Sequence, residues 1–84
     1  EVSIVVKYKV TVLLKPYREQ NAMTVRMLEA KAGVSKTQIV NIENGSNLPT
    51  LPTLCKLAAA LKVNPHDMLI FETEKDQVDE QAKE

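Results

Sequence analysis

The 84-residue sequence holds one cysteine, one histidine, two glycines and no tryptophan. A single thiol, Cys55, excludes an internal disulfide, and no Cys/His cluster has the spacing of a structural zinc site. Aromatic residues make up only 4% of the chain, so any core is built from aliphatic side chains. No apolar run approaches the roughly eighteen residues of a membrane helix. The n-region, h-region and cleavage site of a secretory signal are also missing. The expected setting is the cytoplasm, with no membrane partner. The chain begins at Glu1 rather than Met, which leaves room for native sequence upstream. Nor is there a nucleophile beside a base, a carboxylate pair or a phosphate-cradling glycine loop. His66 stands alone. No catalytic residue, metal ligand or cofactor is expected, and an enzyme is the weakest reading.

Formal charge sums to zero, which by itself argues against nucleic acid. The distribution argues otherwise. Between Lys15 and His66, seven Lys or Arg face three Glu, whereas between Glu72 and Glu84 six acids face two Lys. A basic body with an acidic tail needs explaining.

Residues 2–13 alternate with period two and are rich in Val and Ile, so one strand is expected there. A lone strand cannot satisfy its own backbone. It must pair with Met68–Thr73, the only other short candidate, or with a second chain, and dimerisation through residues 2–12 is the expectation. A first helix is expected from about Lys15 or Pro16 to Asn21. A second follows an N-cap at Thr24 and runs to Ala32, where Gly33 stops it. Ser35 and Gln38 form a capping-box pattern, so a third helix starts at Lys36 and ends at Asn44 before Gly45. Thr50 caps a fourth helix whose stripe is Leu51, Leu54, Cys55, Ala58 and Leu61. That stripe makes Cys55 a small core residue. Asn64, Pro65 and Asp67 open a short fifth helix to about Leu69. Beyond Phe71 the chain has almost no apolar residues and reads as disordered.

On a helical wheel, Ile39 and Ile42 share one face of the third helix. Thr37, Val40, Asn41 and Asn44 point the opposite way. An ordinary solvent face carries Glu and Lys, whereas a groove-facing one needs amides and hydroxyls for base edges and a methyl for thymine. Two helices joined by Gly33-Val34-Ser35 make a helix-turn-helix.

With MTVRMLEAKAGVSKTQIVNIENG at 23–45 and NLPTLPTLCKLAAALKVNPHDML at 47–69, residues 14–71 resemble the Cro/CI-type (XRE) helix-turn-helix family of phage and bacterial repressors. The resemblance implies a mainly α, five-helix, lambda-repressor-like DNA-binding domain, here flanked by the strand (1–13) and the acidic tail (72–84). It implies base contacts from Lys36, Thr37 and Asn41, with Gln38 and Val40 used more variably. It places Thr24, Val25, Asn44, Gly45 and Ser46 against phosphates, and pairs Arg18 with Glu43 in a buried salt bridge. Two positions depart from the family pattern. Val25 stands where a phosphate-binding Gln is usual, so only its backbone remains for that contact. Glu29 replaces a small residue between helices two and three, where it is expected to splay into solvent or loosen the crossing.

Each site residue also has a plain reading. Gln38 is first a cap, Lys36 serves a phosphate as well as a base, and Thr37 and Asn41 could be simply solvated. The function expected is a homodimeric repressor on a two-fold operator of double-stranded DNA, its recognition helices about 34 Å apart. One alternative is an antitoxin that represses its own operon and binds a toxin through the strand or acidic tail. Another is a protein-interaction module that has lost DNA binding.

Overall fold

Three of the four α-helices begin at a hydroxyl that takes up a free backbone amide. The computed structural model describes residues 7–74. Within them α1 spans Leu14–Gln20, α2 Val25–Ala32, α3 Lys36–Glu43 and α4 Leu51–Leu61. Thr24 Oγ1 accepts from the Met27 amide at 3.1 Å, Ser35 Oγ from Gln38 at 3.2 Å and Thr50 Oγ1 from Thr53 at 3.4 Å. Gly33 closes α2 in the left-handed region at φ 72°, which a β-carbon would oppose.

Two other helix ends use left-handed residues that are not glycine. Ala22 has φ 56°, with its amide on Glu19 O and the Met23 amide on Arg18 O. Lys62 has φ 60°, with its amide on Ala59 O and the Val63 amide on Ala58 O. Both are Schellman closures.

The core is aliphatic, as the scarcity of aromatics requires. Leu14, Leu28, Ile39, Leu57, Leu61 and Met68 are completely or almost completely buried, so every helix sends at least one side chain inward. At the edge of this core the Arg18 and Glu43 side chains are 12% and 10% exposed. Arg18 Nε donates to Glu43 Oε2 at 2.7 Å and Nη2 to Oε1 at 3.0 Å, a bidentate pair. The third nitrogen, Nη1, donates to Met23 O at 2.9 Å. One guanidinium thus joins α1, the α1–α2 turn and α3. The Glu43 hydrogen bond raises the Arg18 pKa above its ordinary value. Stability from that shift is present below the ordinary arginine range and lost only above it.

Several expectations need correction. Of the two partners open to the N-terminal strand, the segment in its own chain is the one it takes, not a second chain: β1, Lys7–Val12, pairs antiparallel with β2, Leu69–Glu74, in the register Val10 opposite Phe71. The backbone argument for pairing β1 with a second chain therefore falls. The tail expected to be disordered beyond Phe71 is strand as far as Glu74; its remainder, 75–84, and residues 1–6 of the expected strand lie outside the described residues. The fifth helix is a 3-10 turn, Pro65–Met68, opened by Asn64 Oδ1 on the His66 amide at 2.9 Å. The chain turns into β2 at once, so four residues are too few for an α-helix. α1 starts earlier than expected, at Leu14, because Leu14 is needed in the core.

The stripe on α4 was misphased. Leu54, Leu57, Ala58 and Leu61 are its buried line at i, i+3, i+4 and i+7, which turns Cys55 and Leu51 outward; Leu51 is 73% exposed. Finally, Leu13 N donates to Met68 O at 2.7 Å, tying the β-ribbon to the helical body.

Two measurements test these assignments. Ala22→Gly relieves a left-handed residue and should stabilise the domain by about 0.5 kcal/mol. The same change at exposed Ala59, inside α4, should cost about 1 kcal/mol. Urea unfolding that gives both the same sign would refute the αL closure. Glu43→Ala leaves a largely covered guanidinium without its counter-ion and should cost about 3 kcal/mol, a drop in Tm of roughly 12 °C or more. Arg18→Met combined with Glu43→Leu should recover much of that loss. A double variant as unstable as Glu43→Ala would show that the charge pairing is not what the single variant removed.

Candidate nucleic-acid interface

The helix-turn-helix is formed by α2, the turn at Gly33-Val34-Ser35 and α3. Val34 in the turn is buried, as are Ile39 and Ile42 on α3, so three apolar anchors set the angle of the second helix. With Ile39 and Ile42 facing inward, the helical period sends Thr37, Val40, Asn41 and Asn44 outward together. Lys36, Thr37, Gln38, Val40 and Asn44 are exposed, and Asn41 is half-buried. Asn41 is partly covered because the loop after α3 folds back onto it: the Ser46 and Asn47 amides both donate to its carbonyl, at 2.9 and 3.2 Å. Its side chain springs from a backbone already fixed.

Gln38 points to one side of this face. It lines a cleft of about 190 Å³ with Asn47, Thr50 and Thr53. Its amide is capped by Ser35, but its side chain makes no hydrogen bond among the described residues. The reciprocal half of the capping box is therefore not formed, and the carboxamide is free for a ligand. Val40, 39% exposed, borders a cleft on the other side with Lys15 and Asn44.

The residues read as phosphate contacts fall at two helix ends. Thr24 caps α2, and the Val25 side chain packs against the core, leaving its amide at the helix start. Asn44 Oδ1 accepts from the Ser46 amide at 2.9 Å, which holds the turn through Gly45 at φ 84°. A second cleft, of about 280 Å³, runs from Asn44, Gly45 and Asn47 to Lys9 and Thr11 of β1. Sequence reasoning missed both Lys9 and Lys15 as neighbours of α3. The alternation of β1 carried no sign that the strand would lie beside the α3–α4 loop.

Glu29 neither splays into solvent nor loosens the crossing. Its Oε2 accepts from the Lys36 amide at 3.1 Å, so a carboxylate from α2 sits on the first free amide of α3. Negative charge at that end also complements the helix dipole. The cue lay seven residues before Lys36, too far away for any local capping rule. Among the described residues no group of His, Cys, Asp or Glu could hold a metal, and no helix is long and apolar enough to cross a membrane.

If Glu29 caps α3 from a neighbouring helix, Glu29→Ala should destabilise the domain by about 1 kcal/mol. Glu29→Gln should cost less, since the amide oxygen still accepts. Denaturant midpoints unchanged in both variants would remove Glu29 from this role.

The sequence matches the family described as Helix-turn-helix over residues 14–68. No curated protein matches the chain. Several solved structures share its fold, three of them as follows. The restriction-modification controller protein C.AhdI from Aeromonas hydrophila is 24% identical, with a TM-score of 0.63 over 66% of this chain and 83% of its own. A chain of the SinR–SinI protein complex is 32% identical, with a TM-score of 0.63 over 66% of this chain and 54% of its own. A Bacteroides fragilis protein described as a candidate DNA-binding protein is 24% identical, with a TM-score of 0.68 over 74% of this chain and all of its own. With the two-helix unit, the fixed turn and an outward face almost free of charge already in place, the chain belongs to the helix-turn-helix family of XRE-type DNA-binding regulators.

Proposed function

We propose that this chain is a sequence-specific regulator of transcription, a repressor that binds a palindromic operator as a homodimer with α3 in the major groove. The observation that carries this reading is the outward face of α3, where Thr37, Val40, Asn41 and Asn44 stand opposite the buried Ile39 and Ile42. Hydroxyl, methyl and carboxamide groups offer donors, acceptors and apolar contact without a charge to desolvate, which suits base edges. In this proposal Thr37 and Asn41 read bases and Val40 meets a thymine methyl. Gln38 joins them, since its side chain has no competing partner. Lys36, at the mouth of the helix, serves a base or a phosphate.

Phosphates are assigned to Thr24, the Val25 amide and the turn at Asn44, Gly45 and Ser46. Such contacts position the domain without reading sequence. Residues 14–71 form the DNA-binding unit in this proposal, and residues 1–13 and 72–84 flank it. The homodimer follows from the operator: a two-fold site places equivalent half-sites one turn apart, which a single recognition helix cannot span.

Selection of bound sequences from a random duplex pool tests the reading. A palindromic motif is expected, and Asn41→Ala should relax one position in each half-site at a cost of about 1–3 kcal/mol. Failure to enrich any motif would overturn sequence-specific regulation. An unchanged motif with Asn41→Ala would remove that residue as a reader.

A further inference from the structure

The β-ribbon has two unlike faces. Its register puts Lys7, Lys9, Thr11, Ile70 and Glu72 on one side. Tyr8, Val10, Val12, Leu69, Phe71 and Thr73 lie on the other. The second face carries no charge. It continues past the ribbon onto Leu48 and Pro49 of the α3–α4 loop and Leu51 of α4, and between ribbon and helix lies an apolar groove of about 170 Å³. Four large side chains here are more than half exposed: Leu51 at 73%, Tyr8 at 63%, Leu48 at 62% and Phe71 at 61%. Given the roughly 200 Å² of a large apolar side chain, these four alone present on the order of 500 Å² to water.

The main chain points the same way. With Leu13 N bonded to Met68 O, the antiparallel alternation turns the backbone groups of Thr11 and Lys9 towards β2, and those of Val10 and Tyr8 towards the free edge. By the same alternation, the backbone groups of Phe71 and Thr73 turn to the free edge of β2. A two-stranded ribbon is marginal in water unless something packs on it.

We propose that a second copy of this chain covers the face, the two copies packing ribbon on ribbon about a two-fold axis, with Phe71 of each filling the groove beside Leu51 of the other. Two observations select a second copy. The four exposed side chains supply most of the roughly 800 Å² per partner that a stable interface buries. Val10, Pro49 and Leu69, which border the same surface and are partly exposed, add to it. An uncharged face can also meet its own image without opposing like charges. The interface rests on the DNA-binding reading only for the need for two copies, and it replaces the strand-to-strand dimer that β2 makes unnecessary.

Sedimentation equilibrium of the full chain, without DNA, tests it. A dimer is expected at micromolar concentration. Leu51→Glu and Phe71→Asp, made separately, should each raise its dissociation constant about tenfold or more, with far-UV circular dichroism unchanged. Met27→Glu, at a side chain 52% exposed on α2 and away from the face, should leave it unaltered. A wild-type chain still monomeric at about 100 µM would overturn the proposal. So would a dimer that tolerates both substitutions, or one lost only with Met27→Glu. If the chain dimerises through this face yet enriches no DNA motif, the regulator reading fails and the interface stands. If it enriches a motif as a monomer, the interface fails.

Discussion

Eight residues cannot hold a helix together in water, so α3 exists only because the rest of the domain grips it. Burial of Ile39 and Ile42 fixes its rotation and decides which side chains face out. Two charged contacts then fix its ends. At the start, Glu29 holds the first amide; at the finish, Glu43 is clamped by Arg18, which also grips the turn before α2. Residues from α1 and α2 therefore set the pose of a helix to which they contribute no outward side chain. A single guanidinium links the carbonyl of Met23 to Glu43 at the end of α3.

Much of this was legible in the sequence because it is local or periodic. Thr24, Ser35 and Thr50 each cap the helix that follows, and the faces of α3 follow from a 3.6-residue repeat. The Arg18–Glu43 pair, 25 residues apart, came through family resemblance rather than spacing. What was not legible is mostly non-local. Glu29 reads as an exposed acid on α2 until the packing angle brings it to Lys36. The residues beyond Phe71 read as the start of a tail because Glu72 and Glu74 look soluble, yet they lie opposite Lys9 and Lys7 in the ribbon. Cys55 faces outward because the buried line of α4 runs through Leu57 and not through Leu51 and Cys55, a small change of phase that leaves Leu54, Ala58 and Leu61 inside. Apolar residues that recur at helical spacing fix a period more firmly than a phase.

Zero net charge is compatible with a polyanionic partner once the charges are placed. Fields beyond about 10 Å are screened at ordinary salt, so only charges near α3 matter to the proposed complex. Lys36 stands at its start, Lys15 beside Val40 and Asn44, and Lys9 along the cleft to Gly45. The two acids closest to the helix are both engaged, Glu43 by Arg18 and Glu29 by the Lys36 amide. Glu19, on α1, lies outside those clefts; Glu72 also lines none of them but stands opposite Lys9 in the ribbon and offsets part of its charge. The balance near the candidate interface is positive although the sum over the chain is not.

Glu29 also constrains how DNA could be held. The start of a helix is ordinarily a ready site for a phosphate, through free amides and the positive end of the dipole. On α3 that site is partly filled from within. An incoming phosphate would have to displace a carboxylate or approach beside it against like charge. In the proposed complex, backbone affinity must then come from the start of α2, from the Asn44–Ser46 turn and from flanking lysines, while the start of α3 contributes mainly through Lys36. A domain arranged in this way gives up some sequence-independent attraction at the mouth of its recognition helix. Since non-specific affinity is largely electrostatic, that loss weakens binding to any duplex, whereas the base contacts proposed for Thr37, Asn41 and Gln38 do not depend on it. In the proposed complex, the carboxylate that steadies the helix thus lowers affinity for every duplex by the same factor and leaves the ratio between operator and other sequences to the base contacts.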